Sequence, residues 1–390
     1  MRDVVVVGGG PGGLTAARSL AASGWDVAVV EEHDSIGTPV HCTGVLAEDV
    51  LATLDLPAEA VLNPLSTVTF VAPSGHAFDY TTATTEAVVI DRATFDAALS
   101  DRASRAGATL LRGRRVTAID PGKDAVQITC ANGESLAARA VILACGANYT
   151  FQRRLGFGMP STFLHSAQME LPADRLGPVE IHFGSEVAPK GFAWAVPVRR
   201  PHGTFARIGV MADADAGVYF QKMLARVRDR WAVTEPDTLS PRRRMLPLSS
   251  VRRTYGDRVV AVGDAAGLVK PTTGGGIYYS VVSGTLAADV LTTQLAENDL
   301  SATALREYER RWRSRFQSEF NAQLALRFVT QRMRDTDIDA LFRLANTDGI
   351  LPLVRQTARF NRHRDFILAL LRHQPARRAL FGRLASGATS

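Results

Sequence analysis

The residues whose type and spacing could do chemistry begin at the N-terminus. Gly8, Gly10 and Gly13 stand in a G-x-G-x-x-G spacing, directly after Val4–Val7 and before an alanine-rich run, AARSLAAS. Gly8 permits a tight turn from strand into helix, Gly10 lets backbone approach a pyrophosphate, and Gly13 lets helix and strand pack closely. The pyrophosphate then rests on the free N–H groups and positive dipole end of the helix. Pro11 in the first helical turn loses no hydrogen bond. A second strand, DVAVV, ends in Glu31, eighteen residues after Gly13. A carboxylate at that position accepts hydrogen bonds from the ribose hydroxyls of an adenine nucleotide, and an acid in place of an arginine argues against a 2′-phosphate.

A second acid lies far along the chain. Asp264 follows another buried run, Val259–Val262, where a carboxylate can meet a second chain of hydroxyls. PTTGGGI (271–277) then sets three glycines at the start of a helix. That N-terminus offers N–H donors and positive potential, which stabilise negative charge on N1 and O2 of a reduced flavin. FAD needs one site for its AMP half and another for ribitol and flavin, and the two motifs supply both. No second G-x-G-x-x-G marks a separate nicotinamide domain. Cys42 neighbours His41 in a glycine- and proline-flanked loop, but adjacent residues of an extended loop point to opposite sides, which disfavours a Cys–His dyad. Cys42 then reads as a small residue packed beside the flavin. No catalytic acid is evident.

The elements that must position these residues read as α/β. Residues 1–60, 88–160 and 250–300 are expected to form a discontinuous Rossmann-type domain. Into it is inserted an antiparallel-sheet substrate domain, 61–87 and 161–249, and a C-terminal helical region, 301–390, follows. GTPVHCTGVLAEDV (37–50) reads as a loop and then a helix, and residues 160–250 as short alternating strands. Asp91 is placed to cap a helix over the following residues. Tyr308, Trp312, Phe316 and Phe320 recur every four residues and share a helix face, read as core packing or as the far end of a hydrophobic tunnel.

At 390 residues, with 46% hydrophobic and 22% charged residues, the chain has an ordinary globular composition. Three cysteines, Cys42, Cys130 and Cys145, are too few and too scattered for a disulfide framework, a metal site or an iron–sulfur cluster. There is no signal peptide and no apolar run of membrane-spanning length, so a cytoplasmic location is expected. The net charge of +6 is concentrated: Leu351–Ser390 holds eight arginines against Asp365 alone, and interleaves them with LPLV, FILALL and ALF. Such a segment is either a solvated helical cap or a peripheral contact with an anionic membrane. Without a recognition module it does not point to nucleic acid.

Four stretches carry a resemblance. PVHCTG (39–44), VIDRATFD (89–96), KGFAWAVP (190–197) and VGDAAGLVKPTTGGGI (262–277) resemble motifs of the geranylgeranyl reductase family, FAD-dependent oxidoreductases of the p-hydroxybenzoate hydroxylase type. The likeness runs from residue 1 to about 300. It implies FAD contacts at Gly12, Glu31, Cys42, Thr43, Gly44, Arg92, Val116, Asp264, Gly276 and Ile277, with Val116 acting through its backbone. For Cys42, in the PVHCTG loop, the resemblance implies a group that shapes the site or positions a proton. Phe192, Trp194 and Pro197 would line a channel for an apolar chain, although a plain sheet core looks the same. Phe192 and Val196 depart from the aromatic positions of the family's Y-x-W-x-F-P pattern. The implied activity is reduction of isolated C=C bonds in the geranylgeranyl-type chain of a lipid, quinone or chlorophyll precursor. Hydride would come from flavin N5, with NADPH or ferredoxin as external electron donor, and peripheral membrane contact suits such a substrate. The alternative is an FAD-dependent monooxygenase of an apolar or aromatic substrate. Halogenation is disfavoured, because none of the four lysines (Lys123, Lys190, Lys222, Lys270) lies in the early sheet segment where flavin-dependent halogenases carry theirs.

Overall fold

A computed structural model describes residues 1–347 and 350–386. The chain opens β1 (Arg2–Val7), α1 (Pro11–Ala22), β2 (Val27–Val30), β3 (Val45–Ala47), α2 (Asp49–Thr53), β4 (Val61–Leu65), β5 (Thr67–Val71), β6 (Ala77–Thr81), β7 (Ala87–Ile90) and α3 (Arg92–Arg105). It continues through β8 (Thr109–Leu111), β9 (Val116–Pro121), β10 (Val126–Cys130), β11 (Ser135–Leu143), α4 (Thr150–Arg154), β12 (Phe163–Pro172), β13 (Val179–His182), β14 (Phe192–Arg200) and β15 (Gly203–Ala212). Then come α5 (Ala216–Trp231), β16 (Arg242–Pro247), β17 (Tyr255–Gly256), β18 (Val259–Ala261), α6 (Ile277–Glu297) and α7 (Ala302–Thr330). Four shorter helices follow: α8 (Asp335–Thr347), α9 (Ile350–Thr357), α10 (Arg364–Arg372) and α11 (Gln374–Ser386).

The first sheet runs β17-β18-β11-β1-β2-β8, with β9 and β10 continuing from β11. β18, β11, β1, β2 and β8 are mutually parallel. Parallel strands covered on both faces need apolar residues at every position, and Val4 to Val7 are all buried. Helices α1 and α6 cross at two glycines: a Cβ on Gly284 would sit 2.2 Å from the Gly12 carbonyl oxygen. Tyr308, Trp312, Phe316 and Phe320 of α7 are all buried in this same core.

The second sheet runs β16-β12-β15-β14-β13-β5-β6. It is antiparallel except where β13 lies parallel to β5. Its outer face is covered by α5, whose Phe220, Met223, Leu224, Val227 and Trp231 are buried. The alternating pattern of residues 160–250 predicts strands there, and α5 is a correction to it. Two further expectations are corrected. The 37–50 stretch contains strand β3 before its helix, and residues 61–65 pair with β7 in a small third sheet, β3-β7-β4, rather than with the second sheet. Of the basic C-terminal block, residues 387–390 and the side chain of Arg383 lie outside the described residues.

Candidate functional site

The nucleotide loop is built by steric exclusion. Gly8 has φ +111°, and a Cβ there would lie 2.3 Å from the Ala144 carbonyl oxygen; one on Gly13 would lie 2.4 Å from the Gly8 oxygen. Gly10 differs, since nothing lies within 4 Å of the position a Cβ would take. It is the N-cap of α1, which has no side-chain cap, so the first-turn N–H groups remain available to a phosphate. Gly12 presents its Cα to the Ser280 carbonyl of α6, 2.8 Å from a would-be Cβ, and only its backbone N–H can face a ligand.

Glu31 has two tasks. Oε2 accepts from Gly9 N at 2.7 Å and Oε1 from His33 N at 3.0 Å, so the carboxylate buttresses the glycine loop as well as standing at the end of β2. Arg114 N donates to the Glu31 carbonyl at 2.8 Å, which ties the start of β9, and with it the buried Val116, to the same corner.

The residues expected at the flavin half come from three segments. Cys42 Sγ accepts from Gly44 N at 3.3 Å. Thr43 has little left for a ligand except its backbone N–H: Oγ1 donates to Gln168 Oε1 at 2.9 Å, and its carbonyl accepts from Arg207 Nη1 at 2.8 Å. Gly44 has φ +67°, with the Arg207 guanidinium 2.5 Å from where a Cβ would be. Arg92 donates to both oxygens of Asp96, at 3.2 and 2.7 Å. Burial alone would lower the Arg92 guanidinium pKa, but Asp96 and then the Cys42 thiol hold it above its ordinary value. Asp264 stands 2.7 Å from where a Gly276 side chain would begin, at the uncapped N-terminus of α6 whose first residue is Ile277. Burial raises its carboxyl above the usual range and Arg92 opposes that rise. Tyr149 and Gly267 bond only its backbone oxygen, leaving the carboxylate open to a hydroxyl.

Lys270 closes the glycine loop: its N donates to the Gly275 carbonyl at 3.0 Å, and its carbonyl accepts from Gly274 N at 2.8 Å. The buried Nζ donates to the Phe360 carbonyl at 2.9 Å and lies 4.1 Å from the centre of that ring. Burial lowers this lysine to about 7, partly offset by Glu319.

The inner face of the second sheet lies opposite. Phe192 and Trp194 share that face, and Trp194 Nε1 is buried without a hydrogen-bond partner. Pro197 does not join them. It has the parity of Ala193 and Ala195, which pack with α5 on the other face, and its carbonyl accepts from Asn63. From Trp194 an aromatic row continues through Phe192, Phe183, Phe342, Phe78 and Phe70, with successive ring centres 5.3 to 6.2 Å apart. A would-be side chain on Gly274 meets Leu246 and Met211, and Met211 pairs with Phe192, so the glycine loop rests against the start of that row.

Arg207 was missed by sequence reasoning. It is buried and donates to Glu170 Oε2 at 2.6 Å, Thr43 O at 2.8 Å and Ile90 O at 2.9 Å, joining the second sheet to the Cys42 loop and to β7. An arginine inside FARIGV carries no local signal of that duty. Outside this site, an apolar groove of about 420 Å³ lies between α7, α10 and α11, lined by Leu326, Val329, Ile367, Leu370, Leu371 and Leu380 among others. Among the described residues no helix is long and apolar enough to cross a membrane, and no cluster of His, Cys, Asp and Glu could hold a metal ion.

Fold and site together define the class, an FAD-dependent oxidoreductase. The lycopene cyclase protein family matches residues 3–347. A digeranylgeranylglycerophospholipid reductase of Methanocaldococcus jannaschii is 30% identical over 354 residues, 87% of this chain and 89% of its own. Digeranylgeranylglycerophospholipid reductase 2 of Methanopyrus kandleri is 30% identical over 370 residues, 90% and 92% of the two chains. Among solved structures, a geranylgeranyl bacteriochlorophyll reductase-like protein from Thermoplasma acidophilum shares the fold with a TM-score of 0.84 at 23% identity, covering 98% of this chain and 99% of its own. The chain belongs to the lycopene cyclase protein family and, among FAD-dependent oxidoreductases, to the geranylgeranyl reductases.

Proposed function

We propose that the protein reduces isolated C=C bonds in the prenyl chain of a lipid, a reading supported by its likeness to digeranylgeranylglycerophospholipid reductases. The observation that carries this is the aromatic row, which leads away from the glycine loop along the sheet to Phe342 of α8, packed over its far end, and suits a long apolar chain. FAD would be held with its adenosine at Glu31 and Val116, its pyrophosphate over Gly10 and the N–H groups of Gly12 and Gly13, and its ribitol and flavin among Asp264, Arg92, Cys42–Gly44, Gly276 and Ile277. Bound and reduced, it would supply hydride to one alkene carbon while the other carbon takes a proton.

The chain's own residues then have three tasks. Phe192 and Trp194 orient the alkene, and the buried cluster that holds Trp194, Met211 and Val269 keeps water out. The positive end of α6 favours negative charge at the flavin's pyrimidine side. Cys42, fixed by Gly44 N and beside Arg92, is the candidate group at the reacting face. NADPH or ferredoxin is the proposed electron source. The arginine-rich α9–α11 region, with apolar residues between its charges, supports contact with an anionic membrane from which the substrate is drawn.

The test is anaerobic. The flavoprotein is reduced, a geranylgeranyl lipid is added, flavin reoxidation is followed, and the product is weighed. Reoxidation with two hydrogens gained per double bond is expected. A product of unchanged mass would indicate isomerisation or cyclisation instead, and oxygen incorporated only after air is admitted would indicate a monooxygenase.

A further inference from the structure

At the edge of the second sheet, β16 carries three consecutive exposed arginines. Arg242 and Arg244 lie opposite Gln168 and Ser166 of β12, so these four residues share the inner face. Gln168 and Ser166 help to hold the Cys42 loop, through Thr43 Oγ1 at 2.9 Å and His41 Nε2 at 3.0 Å. Arg243 points the other way, where its guanidinium lies 2.6 Å from a would-be side chain on Gly217. Arg200 and Arg207 of the same sheet are both neutralised by Glu170. Arg242 and Arg244 have no hydrogen-bonding or ion-pairing side-chain partner among the described residues.

Their charge reaches the loop. His41 is pushed down to about 4, first by burial and then by Arg244 and Arg242. Its ring is a neutral wall. Ser166 Oγ gives its hydrogen to the Arg244 carbonyl at 3.2 Å, so it accepts from His41 Nε2, and Nδ1 is left bare. Two guanidiniums two residues apart on one strand face are about 6.5–7 Å apart along it, close enough to converge on one phosphate. From them the same face becomes apolar strand by strand, through Met211, Phe192, Trp194 and Ile181 to Phe70 and Phe78.

The geometry points to Arg242 and Arg244 as the position that takes a phosphate headgroup, with the prenyl chain of the same lipid lying along the aromatic row. This rests on the prenyl-reductase function proposed above and adds the headgroup's place and charge. A free phosphate or the phosphates of NADPH share the anionic chemistry. The apolar face that continues from the arginines favours a ligand with one anionic end and a long apolar remainder.

The test uses detergent-solubilised geranylgeranyl phosphate and geranylgeraniol, the same chain with and without the charge, bound to oxidised FAD holoenzyme and then turned over by the reduced enzyme. In R242Q/R244Q, binding of the phosphate should weaken roughly tenfold per arginine. KM should rise with kcat held, and the alcohol should be unaffected. R243Q should behave as wild type. The assignment is overturned if the double variant treats both compounds alike, or if R243Q weakens phosphate binding as much. It is also overturned if inorganic phosphate binds as tightly as the prenyl phosphate, or if the loss is confined to NADPH. Failure of the wild type to reduce either compound would count against the prenyl-reductase function, while the binding comparison would still decide the place of the phosphate.

Discussion

The contact between Arg92 and Asp96 sets a sharp condition on the site. Asp96 is 4% exposed and among the described residues has only this guanidinium to balance its charge, so removing Arg92 strands a carboxylate in the core. Breaking a buried pair from one side costs about 3–5 kcal/mol, whereas replacing both partners with apolar groups is far milder. R92L should therefore lower the urea midpoint strongly, and R92L/D96L should recover most of the loss. FAD retention on gel filtration should be poor in both, because neither restores a guanidinium beside Cys42 and Asp264. Recovery of FAD retention in the double variant would show that Arg92 acts only through Asp96. His41 sets a condition of the opposite kind. Its pKa is lowered in the folded state from 6.5 to about 4, so the folded protein binds its proton later than the unfolded chain does. The stability it contributes is complete above about pH 6.5 and is lost as pH falls toward 4. H41Q should flatten that acid limb in denaturant titrations at pH 4 to 7, and an unchanged limb would show that the ring protonates freely in place.

At the scale of elements, the first body depends on the α1–α6 crossing, where backbone touches backbone. A Cβ on Gly284 would lie 2.2 Å from the Gly12 oxygen, which no rotamer change relieves. G284A should cost about 1–3 kcal/mol, the usual price of overpacking, read as a lower thermal midpoint in holoprotein and apoprotein alike. Elements whose constraint is local were legible in the sequence. Four valines that cannot be anything but buried strand, a glycine at φ +111°, and an aspartate whose oxygen accepts from Thr94 N at 2.8 Å all carry their reason within a few residues. Helix α5 also had its period, at positions 220, 223, 224, 227 and 231, but it is enclosed by short alternating strands whose pattern prevailed. Arg207 was not legible for a deeper reason, since its contacts lie 37, 117 and 164 residues away. The face of Pro197 follows locally, because a residue three places along a strand from Trp194 points to the opposite side.

Across the whole molecule, the C-terminal helices are tied back onto the site. Helix α7 packs its aromatic face into the first core and fastens it through Trp312 Nε1 to Thr254 Oγ1 at 2.9 Å and Tyr308 OH to the Ala261 carbonyl at 2.8 Å. The segment between α9 and α10 then returns to the glycine loop. Phe360 O accepts from Lys270 Nζ, His363 Nδ1 lies 2.9 Å from Thr272 Oγ1, and Tyr279 OH donates to Asn361 O at 3.1 Å. Lys270 anchors this return, and its ammonium is held by a carbonyl and an aromatic face, with no carboxylate ion pair among the described residues. Because burial lowers it to about 7, the folded protein releases a proton that the unfolded chain keeps until about 10.5. The unfolded state binds more protons through that interval, so stability should rise from pH 7 toward pH 10, by at most about 1.4 kcal/mol per pH unit. K270M has no proton to release and should lose the rise, with its unfolding midpoint changing less than that of wild type between pH 7.5 and 9.5. Equal slopes in the two proteins would mean that Lys270 stays protonated in the fold, and that an anion within reach of its ammonium balances the charge.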